Sequence, residues 1–143
     1  MVIVDANCSS DALGTPPKED FSPIFDALDQ GKAKLVWGGK KLVAEYKLNG
    51  VAWRALLQLD RAGRAHMANH AEVDAEQKTI EKNFNLVSDD PHILALARVS
   101  GARLLCSRDQ ALHQDFGNPR IISQPRGSVY QNASHKALIK KCC

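Results

Sequence analysis

Short apolar runs alternate with amphipathic stretches along this chain. Val2-Ile3-Val4 and Leu35-Val36-Trp37 contain no polar alternation, which is typical of strands that are buried on both faces. Similar runs occur at 102–106 and 120–123. The pattern therefore predicts four strands, over 1–5, 34–37, 102–106 and 120–123.

The intervals between these runs carry helix signals. Ser22-Pro23 and Asp90-Pro91 each place a capping residue before a proline, while Gly31, Gly63 and Gly101 mark helix ends. The predicted helices cover about 23–30, 40–48, 51–62, 65–84, 91–100 and 109–115. Short strands that alternate with helices predict an α/β fold whose parallel sheet is covered on both faces.

The length of 143 residues is that of one domain. We predict that this domain covers 1–124, and that 125–143 form a basic, poorly ordered tail. No stretch of 18 apolar residues and no basic N-terminal region are present, so the expectation is a cytoplasmic chain without a membrane span. The four cysteines lack CxxC spacing and predict reduced thiols rather than a zinc site or a disulfide framework.

The net charge of +3 conceals an asymmetry along the chain. Residues 1–90 carry 11 Lys and Arg against 14 Asp and Glu, whereas 91–143 carry 8 against 2. A basic C-terminal third favours a polyanionic partner. Its arginines are candidates for phosphate contacts: Arg98, Arg103, Arg108, Arg120 and Arg126.

Several acids follow or precede the predicted strands. Asp5 ends the first strand, Asp109 follows the third, Asp89 and Asp90 begin the helix between, and Glu45 lies on the helix after the second. In an open parallel sheet, functional groups collect at the carboxyl ends of the strands. Carboxylates that converge there repel one another unless a hard cation neutralises them, and Mg²⁺ or Mn²⁺ would suit such a site.

Each acid also has a structural interpretation. Asp90 before Pro91 is a good helix N-cap, and Glu45 could be a solvated helix residue. Ser107 and Gln110 fit a capping box, in which Asp109 would only favour the helix dipole. His66 and His70 have the spacing of a helical zinc motif, but without a third ligand they are expected to be surface residues.

The ordered motifs resemble those of the PIN-domain nucleases. The relevant segments are Val2-Ile3-Val4-Asp5-Ala6-Asn7, the helix from Asp89-Asp90-Pro91 to Gly101, and Leu104-Leu105-Cys106-Ser107-Arg108-Asp109. The resemblance implies a three-layer α/β/α sandwich and an Mg²⁺- or Mn²⁺-dependent endoribonuclease. Its implied metal-binding and catalytic acids are Asp5, Glu45, Asp90 and Asp109, with Ser107 at the hydroxyl position and Asn7 and Asp89 in support.

The resemblance also implies partners. RNA would be the substrate. Many bacterial members of the family are toxins held inactive by a small antitoxin protein, so an antitoxin is a possible partner here. A homodimer is a further possibility. A different class of function is a PIN-like module that binds RNA or protein without cleaving. A phosphoacceptor receiver domain also places acids at strand ends, but it requires an acidic pair after its first strand, where this chain has Asp5 alone.

Overall fold

The computed structural model describes residues 1–143 and contains one sheet of five parallel strands. The strands are β1 (Val2–Val4), β2 (Leu35–Trp37), β3 (Ala65–Met67), β4 (Leu104–Cys106) and β5 (Ser128–Tyr130). Their order is β3-β2-β1-β4-β5. The predicted α/β fold with a parallel sheet is confirmed.

Eight α-helices and two single turns of 3₁₀ helix surround the sheet. The helices are α1 (Ala6–Leu13), α2 (Ser22–Asp29), α3 (Lys40–Lys47), α4 (Gly50–Arg61), α5 (His70–Asn83), α6 (Pro91–Ser100), α7 (Gln110–Phe116) and α8 (Ala137–Cys142), and the 3₁₀ turns are Glu19–Phe21 and Ala133–His135. Helix α1 packs against α2, α3 and α4, while α5 packs along α6, which makes the architecture a three-layer α/β/α sandwich. None of these helices combines the length and the apolar character needed to cross a bilayer.

The core lies between the central strands and the helices that cover them. All residues of β1 and β4 are at most 1% exposed, and Ile93–Ala97 of α6 are fully buried. Burial on both faces explains why these strands contain no polar alternation. Helix α6 ends at Gly101 because that residue adopts a left-handed conformation, with φ of 83°, which favours glycine.

Strand β3 and helix α1 were not predicted from the sequence. Strand β3 and helix α5 occupy the stretch predicted as one helix over 65–84. Because β3 lies at the sheet edge and its residues are partly or largely exposed, it lacks the apolar run of a central strand. Helix α1 follows directly after Asp5, and its Asn-Cys-Ser-Ser-Asp sequence consists of weak helix formers.

The strand predicted over 120–123 is wrong. Ile121 and Ile122 are buried, yet both backbone N–H groups donate to the Asn118 carbonyl within a turn. The strand that pairs with β4 is β5, in the register Leu104↔Ser128. Two adjacent apolar residues such as Ile121 and Ile122 can therefore be buried in a turn and need not belong to a strand.

The tail predicted over 125–143 is also corrected, because the folded unit continues past residue 124. Tyr130 of β5 is fully buried and donates its hydroxyl to the Asp20 carbonyl at 2.5 Å. Leu138 and Ile139 of α8 pack against the core. The polar and turn-forming residues that suggested an appendage instead surround a short edge strand.

The cysteines follow the prediction only in part. Cys8 and Cys106 are free and buried, whereas Cys142 and Cys143 form a disulfide between neighbouring residues. The expectation of four reduced thiols is therefore wrong for the terminal pair. Spacing along the chain could not reveal this, because adjacent cysteines match no common framework.

Candidate metal centre

The strand order creates a crevice at the carboxyl ends of β1 and β4. From β1 the chain builds outward through β2 and β3, then crosses back to place β4 on the other side of β1. The loops that follow β1 and β4 therefore run in opposite directions and leave a crevice between them. Ligands of open α/β sheets bind in such crevices. Asp5 directly follows β1 at this crevice, and Ser107 directly follows β4 beside it.

A hydrogen-bond network joins these two strand ends. Ser107 donates its hydroxyl to Asp5 Oδ2 at 2.8 Å and accepts from the Asp109 backbone N–H at 3.1 Å. Asn7 lies at the edge of the network, with its Nδ2 3.5 Å from Ser107 Oγ and its Oδ1 accepting from the Arg108 N–H. The predicted group of Asp5, Asn7, Ser107 and Asp109 is therefore brought together in space.

Asp5 is a buried acid, only 4% exposed. Burial raises the pKa of its carboxyl, and the negative charge of Glu45 raises it further, while the hydrogen bond from Ser107 opposes the rise. Ser107 thus serves Asp5 rather than the capping box predicted from the sequence. The capping residue of α7 is Asp109, whose Oδ1 accepts from the N–H groups of Ala111 and Leu112.

Asp90 lies where α6 begins, but its side chain makes no capping hydrogen bond. Burial, together with the neighbouring acids Asp109, Asp5 and Glu45, raises the pKa of the Asp90 carboxyl to about 7. The structural interpretation of Asp90 as a cap is therefore not realised. Its carboxylate instead lies among other carboxylates, which is costly without a cation.

Glu45, Asp90 and His92 form a second group at the same crevice, with one ligand atom of each within 4.8 Å of the others. His92 Nε2 lies 2.6 Å from Glu45 Oε1. Glu45 is therefore close to Asp90, and the alternative of an isolated solvated residue does not hold. The two carboxylates at this spacing supply oxygen donors that suit Mg²⁺ or Mn²⁺, while His92 Nε2 is engaged by Glu45.

Asp89 differs from Asp90 although the two are adjacent. Asp89 is exposed, and its backbone carbonyl accepts from Lys41 Nζ at 3.2 Å. The loop before Asp90 is held by Asp115, a buried acid whose carboxylate accepts from the backbone N–H groups of Val87 and Ser88 and from the Ser88 hydroxyl. Asp115 thus positions the start of α6 and was not recognised in the sequence, since nothing in its spacing relates it to residue 88.

The sequence also offered no assignment for Lys41 and His92. Lys41 precedes Glu45 by one helical turn on α3, so both side chains point toward the same side of that helix. His92 is 2% exposed and is therefore a residue of the core. It could not be singled out because every residue from Pro91 to Ala97 is buried, which removes any contrast between helix faces.

The histidine pair considered as a zinc motif does not share a helix. His66 lies in β3 and is exposed, and His70 begins α5 and accepts through Nδ1 from the Gly39 N–H at 2.9 Å. A spacing of four residues therefore does not bring the two rings to one helix face here.

Most of the arginines proposed for phosphate contacts are engaged elsewhere. Arg98 lies about 12 Å along α6 from Asp90 and binds Glu76 and the Ile121 carbonyl. Arg103 precedes β4 and so lies at the amino ends of the strands, away from the acids. It donates to several backbone carbonyls. Arg126 binds the Gly117 carbonyl, and Arg108 pairs with Asp11. Arg120 is exposed, and its guanidinium makes no hydrogen bond or ion pair.

Comparisons of the chain with models of protein families, with curated proteins and with solved structures gave no match. The site therefore has to be interpreted from its own geometry and chemistry.

Proposed function

We propose that this protein is a PIN-like, divalent-metal-dependent endoribonuclease. The observation that carries the proposal is the position of Asp90: its carboxyl, with a pKa raised to about 7, lies among Asp5, Asp109 and Glu45 at the strand-order reversal. A cation would offset both the burial and the mutual repulsion that raise this pKa. Mg²⁺ and Mn²⁺ both accept such oxygen ligands.

The acids would bind the cation from four segments of the chain. Asp90 and Glu45 would hold it from α6 and α3, with Asp5 and Asp109 completing the site from the ends of β1 and β4. A bound cation supplies an activated water and stabilises the charge of a phosphoryl displacement. Ser107 would keep Asp5 oriented through its 2.8 Å hydrogen bond.

A basic residue at the rim supports a substrate that carries phosphate groups, as RNA does. A cleft of about 350 Å³ adjoins Asp90 and is lined by Lys41, Gln77, Ser88, Asp89 and Pro91, among others. Lys41 offers a positive charge beside the acids, where a phosphate oxygen of the substrate would need one. A toxin role and an antitoxin partner are parts of this proposal that rest on the resemblance of the sequence motifs alone.

The direct test is cleavage of end-labelled single-stranded RNA in the presence of Mn²⁺, Mg²⁺ or EDTA. We expect cleavage with either cation, none in EDTA, and a loss of at least 100-fold in Asp5→Asn, because that variant retains the side-chain shape but not the charge. Asp60→Asn is the matched control, since Asp60 is an exposed acid of α4. Cleavage that continues in EDTA would contradict the proposal.

A second measurement does not depend on knowing the RNA substrate. Millimolar Mn²⁺ should raise the melting temperature of the wild-type protein by mass action, and Asp5→Asn should reduce that rise. A wild-type melting temperature that does not respond to Mn²⁺ or Mg²⁺ would remove the basis of the proposed function.

A further inference from the structure

His92 is a buried imidazole on an otherwise apolar stretch of helix. It lies two residues after Asp90 and is followed by Ile93, Leu94 and Ala95, all fully buried. Its side chain reaches across to α3, where Nε2 lies 2.6 Å from Glu45 Oε1. The bond thus connects the helix that carries Asp90 with the helix that carries Glu45.

The partner determines the direction of this hydrogen bond. An ionised carboxylate can only accept, so the Nε2–H of His92 donates to Glu45. The other ring nitrogen, Nδ1, is buried and has no hydrogen-bond partner. A buried polar atom without a partner costs stability, so an apolar side chain would serve packing at this position better. The contribution of the imidazole is therefore its bond to Glu45.

Glu45 depends on that bond for its orientation. Its side chain is 32% exposed, and Lys41, one turn earlier on α3, is the cation that could draw it away from Asp90. No other hydrogen bond of the Glu45 carboxylate is present. A glutamate at this position without His92 would be free to turn toward solvent.

We propose that His92 is a positioning residue, which holds one oxygen of Glu45 so that the carboxylate remains turned toward Asp90 and is ready to bind a cation. The inference rests on the proposed metal-dependent function. In this role His92 contacts neither the cation nor the substrate, and it affects cation binding only through the orientation of Glu45. Hydrogen-bond partners of metal ligands typically change metal affinity by about 10–100-fold.

The test is calorimetric titration of the metal-free protein with Mn²⁺. His92→Leu should bind Mn²⁺ about 10–100-fold more weakly than wild type, while its melting temperature without metal should be equal or higher, because the unpartnered nitrogen is gone. His92→Gln can still donate from its amide and should recover most of the affinity. His66→Leu is the matched control, because it removes an exposed imidazole on the edge strand β3.

A double-mutant cycle identifies the route of the effect. If His92 acts through Glu45, the variant that combines His92→Leu with Glu45→Gln should bind Mn²⁺ no more weakly than Glu45→Gln alone. Additive losses would overturn the inference, and so would a His92→Leu protein that binds Mn²⁺ like wild type. Wild-type protein that binds no Mn²⁺ would instead overturn the proposed function, and this inference with it.

Discussion

Asp90 and Asp109 occupy equivalent places at the beginnings of helices, yet their side chains act differently. Asp109 accepts two backbone N–H groups of α7, while Asp90 makes no such bond at α6. The carboxylate of Asp90 therefore contributes to the charge of the site rather than to its helix.

Substitutions of Asp109 should separate capping from charge. Asp109→Ala should lower the free energy of unfolding by about 1 kcal/mol, whereas Asp109→Asn should remain close to wild type because Asn caps about as well as Asp. Chemical denaturation of the metal-free proteins measures this difference. Both variants should lose metal-dependent cleavage, so an Asn variant as active as wild type would limit Asp109 to its capping role.

The raised pKa of Asp90 predicts how stability changes with pH. The folded protein retains the Asp90 proton up to about pH 7, while the unfolded chain releases it near its ordinary pKa of 3.8. The unfolded state therefore binds fewer protons over pH 4–7, and this group makes the metal-free protein less stable as the pH rises through that range. Asp90→Asn should remove this contribution and be more stable than wild type at pH 8.

Melting curves of both proteins from pH 4 to pH 8 measure the effect as a difference. The comparison is needed because burial lowers the pKa of His92 to about 4, which acts in the opposite direction. His92 is present in both proteins, so subtraction isolates Asp90. Parallel melting temperatures across the range would contradict a raised pKa at Asp90.

Among the elements, β5 and α8 contribute unequally to the fold. Strand β5 supplies the buried Tyr130 and pairs with β4, while α8 adds residues that only partly cover the core. Removal of 132–143 should therefore lower the melting temperature but leave a cooperative transition. Removal of 125–143 should abolish that transition, because it uncovers β4.

Thermal unfolding of the two truncated proteins, followed by circular dichroism, makes this comparison. The longer protein keeps the whole sheet and provides the control for loss of α8 with its basic residues. A cooperative transition in the protein that ends at residue 124 would restore the domain boundary predicted from the sequence.

Across the molecule as a whole, the fold changes which basic residues can meet an anion near the site. Lys40 and Lys41 begin α3, and Lys78 lines the same groove between α3 and α5. The lysines of α8 lie elsewhere: Cys143, the residue after α8, lies beside the Met1 amino group, at the amino ends of the strands. The positive charge of α8 is therefore not charge around the site.

The salt dependence of RNA binding should follow this arrangement. In the non-cleaving Asp5→Asn background, changing Lys40, Lys41 and Lys78 to Gln should reduce the slope of log affinity against log salt by about 0.7 for each RNA phosphate that the protein no longer neutralises. The same change at Lys136, Lys140 and Lys141 should leave the slope close to its original value. Equilibrium binding of labelled RNA at several salt concentrations decides between the two sets.

The central part of the fold could be predicted from the amino-acid sequence alone. The apolar runs at β1, β2 and β4 identify strands because residues buried on both faces must all be apolar. Asp5 and Asp109 followed from these strands, since an acid directly after a buried parallel strand lies at its carboxyl edge. Helix α6 could also be predicted, because Pro91 marks its start and Gly101 its end.

The other features depend on how distant parts of the chain pack together. The edge strands β3 and β5 have too few buried residues to produce a pattern, and their pairing depends on neighbours distant in the chain. The bond between His92 and Glu45 joins residues 47 positions apart, and the support that Asp115 gives to Ser88 spans 27. Periodicity reports whether a residue is buried, but the partner of a buried polar group depends on how the helices pack. The sequence could therefore indicate which acids lie together at the carboxyl ends of the strands, whereas the residues that orient them required the folded chain.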